Sequence, residues 1–174
     1  SQIASGAAYA DGQVLTFSEA RTELICELVE ERDQCVVAFI WKHQRDALKE
    51  AFKRRGISFR TIDGEASDSE RQSAVAEFQQ GLVKVIIAHP QSAGHGLTLT
   101  KGTTTIWASP TYNAEHYEQF NRRIYRATQT KKTTTIHIVA NKTIDQDVYH
   151  KLLTKTVNMH ELLSLTKENY EIYR

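Results

Sequence analysis

Long apolar runs, cysteine pairs and a strong charge of either sign are all missing from this sequence of 174 residues. No apolar stretch approaches the roughly 20 residues that a membrane-spanning helix requires, and the first residues lack the basic and apolar regions of a signal peptide. These absences predict a cytoplasmic protein that does not bind a membrane. The net charge of +1 gives no overall attraction to nucleic acid, so any nucleic-acid-binding surface has to be local.

Disulfide and metal-binding patterns are missing as well. The two cysteines, Cys26 in a helical pattern and Cys35 at the start of an apolar strand, have the spacing of neither a disulfide framework nor a zinc site. Both are predicted to be buried, reduced thiols. The seven histidines include no pair at helical ligand spacing together with a third donor, so no metal site is predicted within this chain.

The chain also lacks the two motifs with which P-loop enzymes hold a nucleotide and its metal. It contains no G-x-x-x-x-G-K-[ST] phosphate loop and no D-E-x-H-like acidic run for magnesium. In P-loop enzymes the loop and the acidic residue cradle the phosphates and Mg²⁺. The chain alone is therefore predicted to bind no cofactor and to hydrolyse no ATP.

What the sequence does contain is a regular alternation of apolar patterns with helical and strand periods. Predicted strands cover 36–41, 58–62, 83–88, 104–108 and 134–139. Predicted helices cover 18–31, a segment around 47–52, 67–80, 113–125 and 144–156. Strands separated by helices are typical of a mostly parallel sheet covered by helices on both faces, and the length suits one domain. The predicted fold class is α/β, with three layers.

Local signals predict several helix ends. Ser18 is a predicted N-cap, Ser67 and Glu70 form a predicted capping box, and Gly56 is a predicted C-terminal stop. The first helix is predicted to bury an apolar stripe that includes Leu24.

The most informative stretch runs from residue 119 to residue 132 and reads QFNRRIYRATQTKK. It places Gln119 four residues before Arg123, and Arg126 three residues after that arginine, so one face of a helix would carry all three. Guanidinium groups at this spacing can converge on one anion, and they keep their charge when partly desolvated. The solvated face of an ordinary helix would show the same spacing, so the arginines alone leave both interpretations open.

This run closely resembles motif VI of the superfamily 2 helicases and translocases, and its QTK continuation at 129–131 resembles the Swi/Snf branch. Further segments resemble motifs of that family in the same order. Residues 35–62 resemble the motif IV region, 83–100 (VKVIIAHPQSAGHGLTLT) resemble motif V, and 110–113 (PTYN) resemble the D-P-x-W-N segment before motif VI. The resemblance covers roughly residues 13–155 and implies a second RecA-like lobe.

By this resemblance the two arginines of motif VI are arginine fingers, which stabilise charge that develops during phosphoryl transfer. The predicted catalytic residues are Arg123, Arg126 and Gln119. Glycines after a parallel strand let backbone amides approach an anion closely and permit positive φ angles. The residues predicted to lie near the nucleotide are Gly94, Gly96 and Thr98, with His95 as an exposed turn residue. Thr98 stands where the family usually has asparagine or aspartate.

Nucleic-acid contacts are predicted in two loops. Lys42, His43 and Arg45 follow the first core strand, where positive charge could hold phosphates without reading base sequence. A solvated helix start would explain these three residues equally well. Gln91 and Ser92, by resemblance to the family, would face the nucleic-acid backbone. The predicted partner is DNA, double-stranded rather than single-stranded.

The resemblance implies one lobe of a DNA-dependent ATPase of the Swi/Snf type. ATP with Mg²⁺ would bind between this lobe and an N-terminal RecA-like lobe of the same polypeptide. Residues 1–12 would then be a linker from that upstream lobe, 13–157 the lobe itself, and 158–174 a C-terminal helical tail. The compact form, with no insertions between the motifs, predicts a phage or bacterial source and hence the host or bacterial cytoplasm.

Two other function classes remain open at this point. A freestanding RecA-like module could bind nucleic acid or regulate a partner through the same arginines, without ATPase activity; an upstream phosphate-loop domain would exclude it. A small-molecule enzyme could use the turn at 94–96 for a dinucleotide. That turn lies late in the chain and lacks the strand-turn-helix fingerprint with a downstream acid.

Overall fold

The computed structural model describes residues 7–10, 13–16, 19–94 and 96–172, and within these the side chains of 19–93 and 96–159. The described strands are β1 (Ala7–Ala10), β2 (Gln13–Thr16), β3 (Cys35–Ala38), β4 (Phe59–Ile62), β5 (Val85–Ala88), β6 (Thr104–Trp107) and β7 (Thr134–His137). The described helices are α1 (Ala20–Glu30), α2 (Lys42–Arg54), α3 (Asp68–Gln79), α4 (Ala114–Asn121) and α5 (Ile144–Ile172). A short 3-10 turn, Ser92–Gly94, follows β5.

Five strands form one sheet in the order β4-β5-β3-β6-β7, and every neighbouring pair is parallel. Parallel neighbours cannot be joined by tight turns, so the chain crosses between them through helices and longer loops. β1 and β2 form a separate antiparallel hairpin. The predicted α/β fold with a mostly parallel sheet is confirmed.

Alternating side chains of the sheet build a separate core on each face. On one face Val37, Ile87 and Ile106 pack with residues of α1 and α2. On the other face Ala88 and Trp107 pack with residues of α3 and α4. The central strands β3 and β5 are buried at every position, which explains why their sequences are short continuous apolar runs. Helices therefore cover both faces, as predicted.

Most of the predicted helix signals match the structure. Ser67 Oγ accepts a hydrogen bond from the Glu70 N–H at 3.3 Å, and Glu70 Oε2 accepts one from the Ser67 N–H at 2.8 Å, which confirms the capping box. Gly56 follows α2 with a φ of +66°, a conformation that glycine adopts without strain. Ser18 lies outside the described residues. The prediction for Leu24 is wrong, since this side chain is 43% exposed. The buried residues of α1 are Ile25, Cys26 and Val29.

Both cysteines are buried and free, as predicted. Burial raises the pKa of the Cys26 thiol and of the Cys35 thiol to about 11. Both groups therefore stay protonated at neutral pH. Among the described side chains, no group of three or more histidine, cysteine, aspartate or glutamate residues is arranged to hold a metal ion.

Both predicted domain boundaries fall within or beside described secondary structure. Residues 7–10, within the predicted linker, pair with 13–16, and α5 continues across the predicted boundary at 157. The assignment of 1–12 as a linker and of 158–174 as a tail stays a prediction. In the part of the chain that the structure describes, no helix has the length and apolar content needed to cross a bilayer.

A buried ion pair joins the start of α1 to the start of α5. Arg21 Nη2 lies 2.7 Å from Asp145 Oδ2, and the two side chains are 10% and 0% exposed. Arg21 Nη1 also donates to the backbone oxygens of Ala108 at 2.6 Å and Ile138 at 2.8 Å. Ala108 and Ile138 directly follow β6 and β7, so one guanidinium holds two helices and the ends of two strands together.

Candidate functional site

One open cavity collects the residues that were predicted to act on ATP. Its volume is about 660 Å³. The described residues that line it are Thr98, Gln119, Arg122, Arg123, Tyr125, Arg126, Ala127 and Thr128. The three predicted catalytic residues and one predicted nucleotide-binding residue therefore lie together. The described lining includes three arginines and no carboxylate, so the cavity favours an anionic ligand.

Arg123 and Arg126 line this cavity from turns and not from the predicted helix. α4 ends at Asn121, so the arginines lie in the turns that follow it, and the prediction that one helical face carries them is wrong. Beyond the end of the helix, two carbonyl groups accept donors that are not helical. The Arg123 oxygen accepts from the Leu99 N–H at 2.9 Å, and the next carbonyl along the chain accepts from the Gln129 side chain at 3.1 Å. Tertiary hydrogen bonds thus replace helical ones.

The electrostatics of the two arginines suit an anion. Arg123 is only 9% exposed. Burial, and to a lesser extent the like charge of nearby Arg126, lower the pKa of the Arg123 guanidinium, yet an arginine keeps its proton at neutral pH. Arg126 is half-buried and its Nη2 donates to the Leu97 carbonyl at 3.0 Å, which orients its guanidinium. Two neighbouring positive charges, one of them poorly solvated, are stabilised by an anion between or beside them.

The structure describes part of the glycine-rich turn. Gly96 has a φ of +68°, a backbone conformation that glycine adopts with little strain and other residues do not. Gly94 closes the short 3-10 turn after β5, and His95 lies outside the described residues. Among the described lining residues, only Thr98 comes from this segment. The nucleotide contacts predicted for the two glycines stay predictions.

Three of the predicted nucleic-acid-binding residues lie at one edge of the sheet. The strands β3, β4 and β5 are neighbours and parallel, so the loops at their carboxyl ends meet. Lys42 begins α2 after β3, and its Nζ lies 3.2 Å from Glu65 Oε1 in a pair whose side chains are both exposed. Gln91 is exposed and Ser92 half-buried after β5. Lys42, Gln91 and Ser92 thus lie at the same end of the sheet. Glu65 offsets part of the positive charge of Lys42.

Arg45 and His43 are less accessible than Lys42. The Arg45 side chain is 14% exposed, and it forms ion pairs of 2.8 Å with both Asp46 and Asp63. Hydrogen bonds to these two carboxylates raise the pKa of Arg45 above its ordinary value. His43 is half-buried, and burial lowers its pKa. The loop therefore presents less positive charge than its sequence indicates, and a direct DNA contact by these two residues stays a prediction.

Several residues at or beside the cavity were not predicted from the sequence. Tyr125 lines the cavity and is 70% exposed, and no local pattern marks it. Gln129 donates from its side chain to the backbone oxygens of Thr100, Gly102 and Ile124. Its only signal was its place in the stretch that resembles motif VI.

A family model described as Helicase conserved C-terminal domain matches residues 19–128. The chain belongs to this family. The matched range contains every described residue that lines the arginine cavity, from Thr98 to Thr128. The cavity is thus part of the helicase domain and not of the segments that follow it.

Relatives of the chain include chromatin-remodelling and phage proteins. Protein CHROMATIN REMODELING 24 of Arabidopsis thaliana is 27% identical over 168 residues, which cover 86% of this chain and 15% of that protein. The protein p41 of Acyrthosiphon pisum secondary endosymbiont phage 1 is 28% identical over 176 residues, which cover 95% of this chain and 36% of that protein. The chain therefore spans a minor part of the length of these relatives.

A solved structure supports the fold. The crystal structure of the C-terminal part of the Fun30 ATPase domain matches this chain with a TM-score of 0.71 and 17% identity. The match covers 76% of this chain and 44% of the solved chain. At that identity the likeness shows the fold alone. Another relative, the SNF2 domain-containing protein ENL1 of Oryza sativa subsp. japonica, is 27% identical over 168 residues, which cover 86% of this chain and 17% of that protein. The family match and these relatives, together with the fold, make this chain the C-terminal RecA-like lobe of a superfamily 2 helicase, which confirms the resemblance seen in the sequence.

Proposed function

We propose that this chain is the second lobe of a DNA-dependent ATPase of the Swi/Snf type and that Arg123 and Arg126 act as arginine fingers on ATP. The observation that carries the proposal is the cavity whose described lining holds three arginines and no carboxylate. The sequence contains neither a phosphate loop nor a magnesium-binding acidic run. We assign both to an N-terminal RecA-like lobe of the same polypeptide, which would close on this one around ATP.

The arginines would act on charge that develops as the terminal phosphoryl group passes from ATP to water. As the bond to the leaving oxygen lengthens, negative charge grows on that oxygen and on the transferred group. A poorly solvated guanidinium such as that of Arg123 interacts strongly with this charge, because little water screens it. Arg126, oriented by Leu97, adds a second positive group. Both would bind the transition state more tightly than ATP itself, which is what accelerates a reaction.

The neutral groups of the cavity would position the nucleotide. Gln119 and Thr98 line it, and we assign to both a hydrogen bond with the nucleotide or the attacking water. Gly94 and Gly96 would approach the phosphates through their backbone amides. The described lining offers Mg²⁺ no carboxylate, so the protein ligands of the ion belong to the first lobe.

We also propose that the edge formed by the ends of β3, β4 and β5 is part of a groove for duplex DNA. Lys42, Gln91 and Ser92 would contact the phosphate backbone there, with His43 and Arg45 beside them. Opening and closing of the cleft between the lobes would couple ATP hydrolysis to stepping along the duplex. The phage relative, which matches 95% of this chain, supports a phage origin and a place of action in the host cytoplasm.

Charge reversal at Lys42 and Arg45 tests the DNA groove. In the intact two-lobe protein, Lys42→Glu with Arg45→Glu is expected to weaken binding to all duplex sequences alike and to flatten its salt dependence, by about 0.9 in the log–log slope per lost phosphate contact. Because Arg45 also pairs with Asp63, the single variant Lys42→Glu separates lost charge from lost structure. Lys53→Glu, exposed at the far end of α2, is the matched control. Isotherms identical to those of the parent protein would make the loop a solvated helix start.

ATPase assays of the isolated chain test whether the ATP site is shared between two lobes. We expect the purified chain to be folded and to hydrolyse no ATP, with or without duplex DNA, because it lacks the phosphate loop and the metal-binding acid. Addition of the separate first lobe should restore DNA-stimulated turnover. Turnover by the chain alone that Arg126→Ala abolishes would overturn the proposal. Folded chain that binds DNA tightly but never stimulates the first lobe would favour a freestanding binding module.

A further inference from the structure

We propose that Gln129 is a positioning residue that fixes the two arginines relative to the loop that carries Thr98. The inference rests on the proposed function and names the group that sets the geometry of the site. Gln129 is not among the described residues that line the cavity, so it would act through its neighbours and not by touching ATP.

The side-chain amide of Gln129 is the centre of a compact hydrogen-bond cluster. Its Nε2 lies within hydrogen-bond distance of the backbone oxygens of Thr100 at 2.9 Å, Gly102 at 3.1 Å and Ile124 at 3.1 Å, so its two N–H groups serve three acceptors and one N–H is shared. Its Oε1 accepts from the Lys131 N–H at 3.1 Å. Only the nitrogen end of the amide can face three carbonyl oxygens, because the oxygen end has no proton to donate. The cluster therefore needs a neutral amide at this position.

These bonds fasten the turn that carries the arginines to the loop that carries Thr98. Two further bonds join the same segments, from the Leu99 N–H to the Arg123 oxygen at 2.9 Å and from Arg126 Nη2 to the Leu97 oxygen at 3.0 Å. The turn 122–128 lies beyond the end of α4 and has no continuous helical hydrogen bonds to hold its shape. Its conformation is therefore set by these tertiary contacts.

The loop is in turn fixed to the core, so it serves as a rigid reference. A Cβ atom at Gly102 would lie 3.0 Å from Phe78 Cζ, which shows how closely this backbone packs on a fully buried ring. Gln129 thus connects the arginine turn to the hydrophobic core through Gly102. A displacement of about 1 Å in a catalytic group can cost on the order of 10² in rate. Loss of this connection should therefore affect catalysis more than folding, since Gln129 is half-buried and lies outside the sheet and the helices that cover it.

Three variants of the intact two-lobe protein test this role. Gln129→Glu keeps the size of the side chain but turns a carboxylate oxygen toward three carbonyls at pH 8. We expect kcat to fall by about 10², with the KM for ATP, DNA affinity and melting temperature close to parental. Protonation would restore one O–H donor, and burial beside carbonyls raises the pKa of such a carboxyl group. The kcat of Gln129→Glu relative to the parent should therefore rise as pH falls from 8.5 to 6.

Gln129→Leu removes the donor at every pH, so its kcat should be low and should not recover in acid. Gln129→Asn keeps the amide on a shorter side chain; it should lose less and replaces Gln129→Glu if that variant does not fold. The matched control is Gln72→Glu, exposed on α3, which should behave as the parent. The inference would be overturned if the Gln129 variants keep the parental kcat, or if the kcat of Gln129→Glu relative to the parent does not change with pH. It would also be overturned if the losses in kcat follow the losses in melting temperature. If Arg126→Ala also keeps parental kcat, the proposed function fails as well; if only Arg126→Ala is inactive, the arginine fingers stand without Gln129.

Discussion

Arg126→Ala in the intact two-lobe protein is expected to lower kcat by about 10³ or more at saturating DNA, because an arginine finger acts on charge that appears in the transition state. The KM for ATP and the DNA affinity should change little, since this interaction is weak in the ground state. Arg123→Ala should lose as much. Arg123 is also buried, so this variant is informative only where thermal melts show that it is folded. Steady-state ATPase assays give the comparison.

Two control variants sharpen this test. Arg126→Lys should rescue poorly, because an ammonium keeps the charge but loses the planar two-pronged geometry of a guanidinium. Arg54→Ala should keep the parental kcat, since this arginine is 55% exposed and pairs with Glu23 on the surface. If both alanine variants of the cavity arginines hydrolyse ATP at the parental rate, the arginines have been misassigned. The better account would then be a RecA-like module that binds nucleic acid only.

Asp145→Ala is expected to lower the free energy of unfolding of the chain by about 3–5 kcal/mol, the usual cost of removing one member of a buried ion pair. Arg21 would keep its carbonyl acceptors at Ala108 and Ile138 but would lose the carboxylate that balances its charge. Chemical denaturation followed by circular dichroism measures the change. The effect should be confined to stability, because neither residue lines the arginine cavity in the described structure.

Removing one partner of the Arg21–Asp145 ion pair can be distinguished from replacing both partners with apolar side chains. Arg21→Met with Asp145→Leu should recover much of the stability, since apolar groups of similar size often replace a buried ion pair without penalty. Glu77→Ala, which breaks the more exposed pair with Arg60, should cost about 0–1 kcal/mol. A loss below about 1 kcal/mol for Asp145→Ala would mean that water or a local shift compensates Arg21.

The fold was predictable because its main signals are local. Short apolar strands alternate with helical patterns, and the capping box at Ser67 and Glu70 lies within four consecutive residues. The errors come from contacts between distant parts of the chain. The face of α1 that is buried depends on how the helix sits on the sheet, which exposes Leu24. The ion pair between Arg21 and Asp145 spans 124 positions and leaves no periodic trace in the sequence.

The same distinction applies to the site. The spacing of Arg123 and Arg126 predicted their convergence through a helix, but α4 ends at Asn121, and bonds from Leu99 and Gln129 hold the turn that carries the arginines. Resemblance to the family singled out a segment that lines one cavity, although the predicted local geometry was wrong. The neutralisation of Arg45 by Asp63 was equally invisible, since a basic loop after a strand has the same sequence whether or not a carboxylate packs beside it.

The affinity of a transition-state mimic tests the shared ATP site most directly. ADP with aluminium fluoride resembles the transferring phosphoryl group, whereas ADP alone lacks it. In the intact two-lobe protein, Arg126→Ala should weaken binding of the ADP–aluminium fluoride complex by about 10³ or more while leaving ADP affinity nearly parental. Arg54→Ala should bind both ligands as the parent protein does. Equal affinities of Arg126→Ala and the parent for the aluminium fluoride complex would show that this lobe supplies no arginine finger.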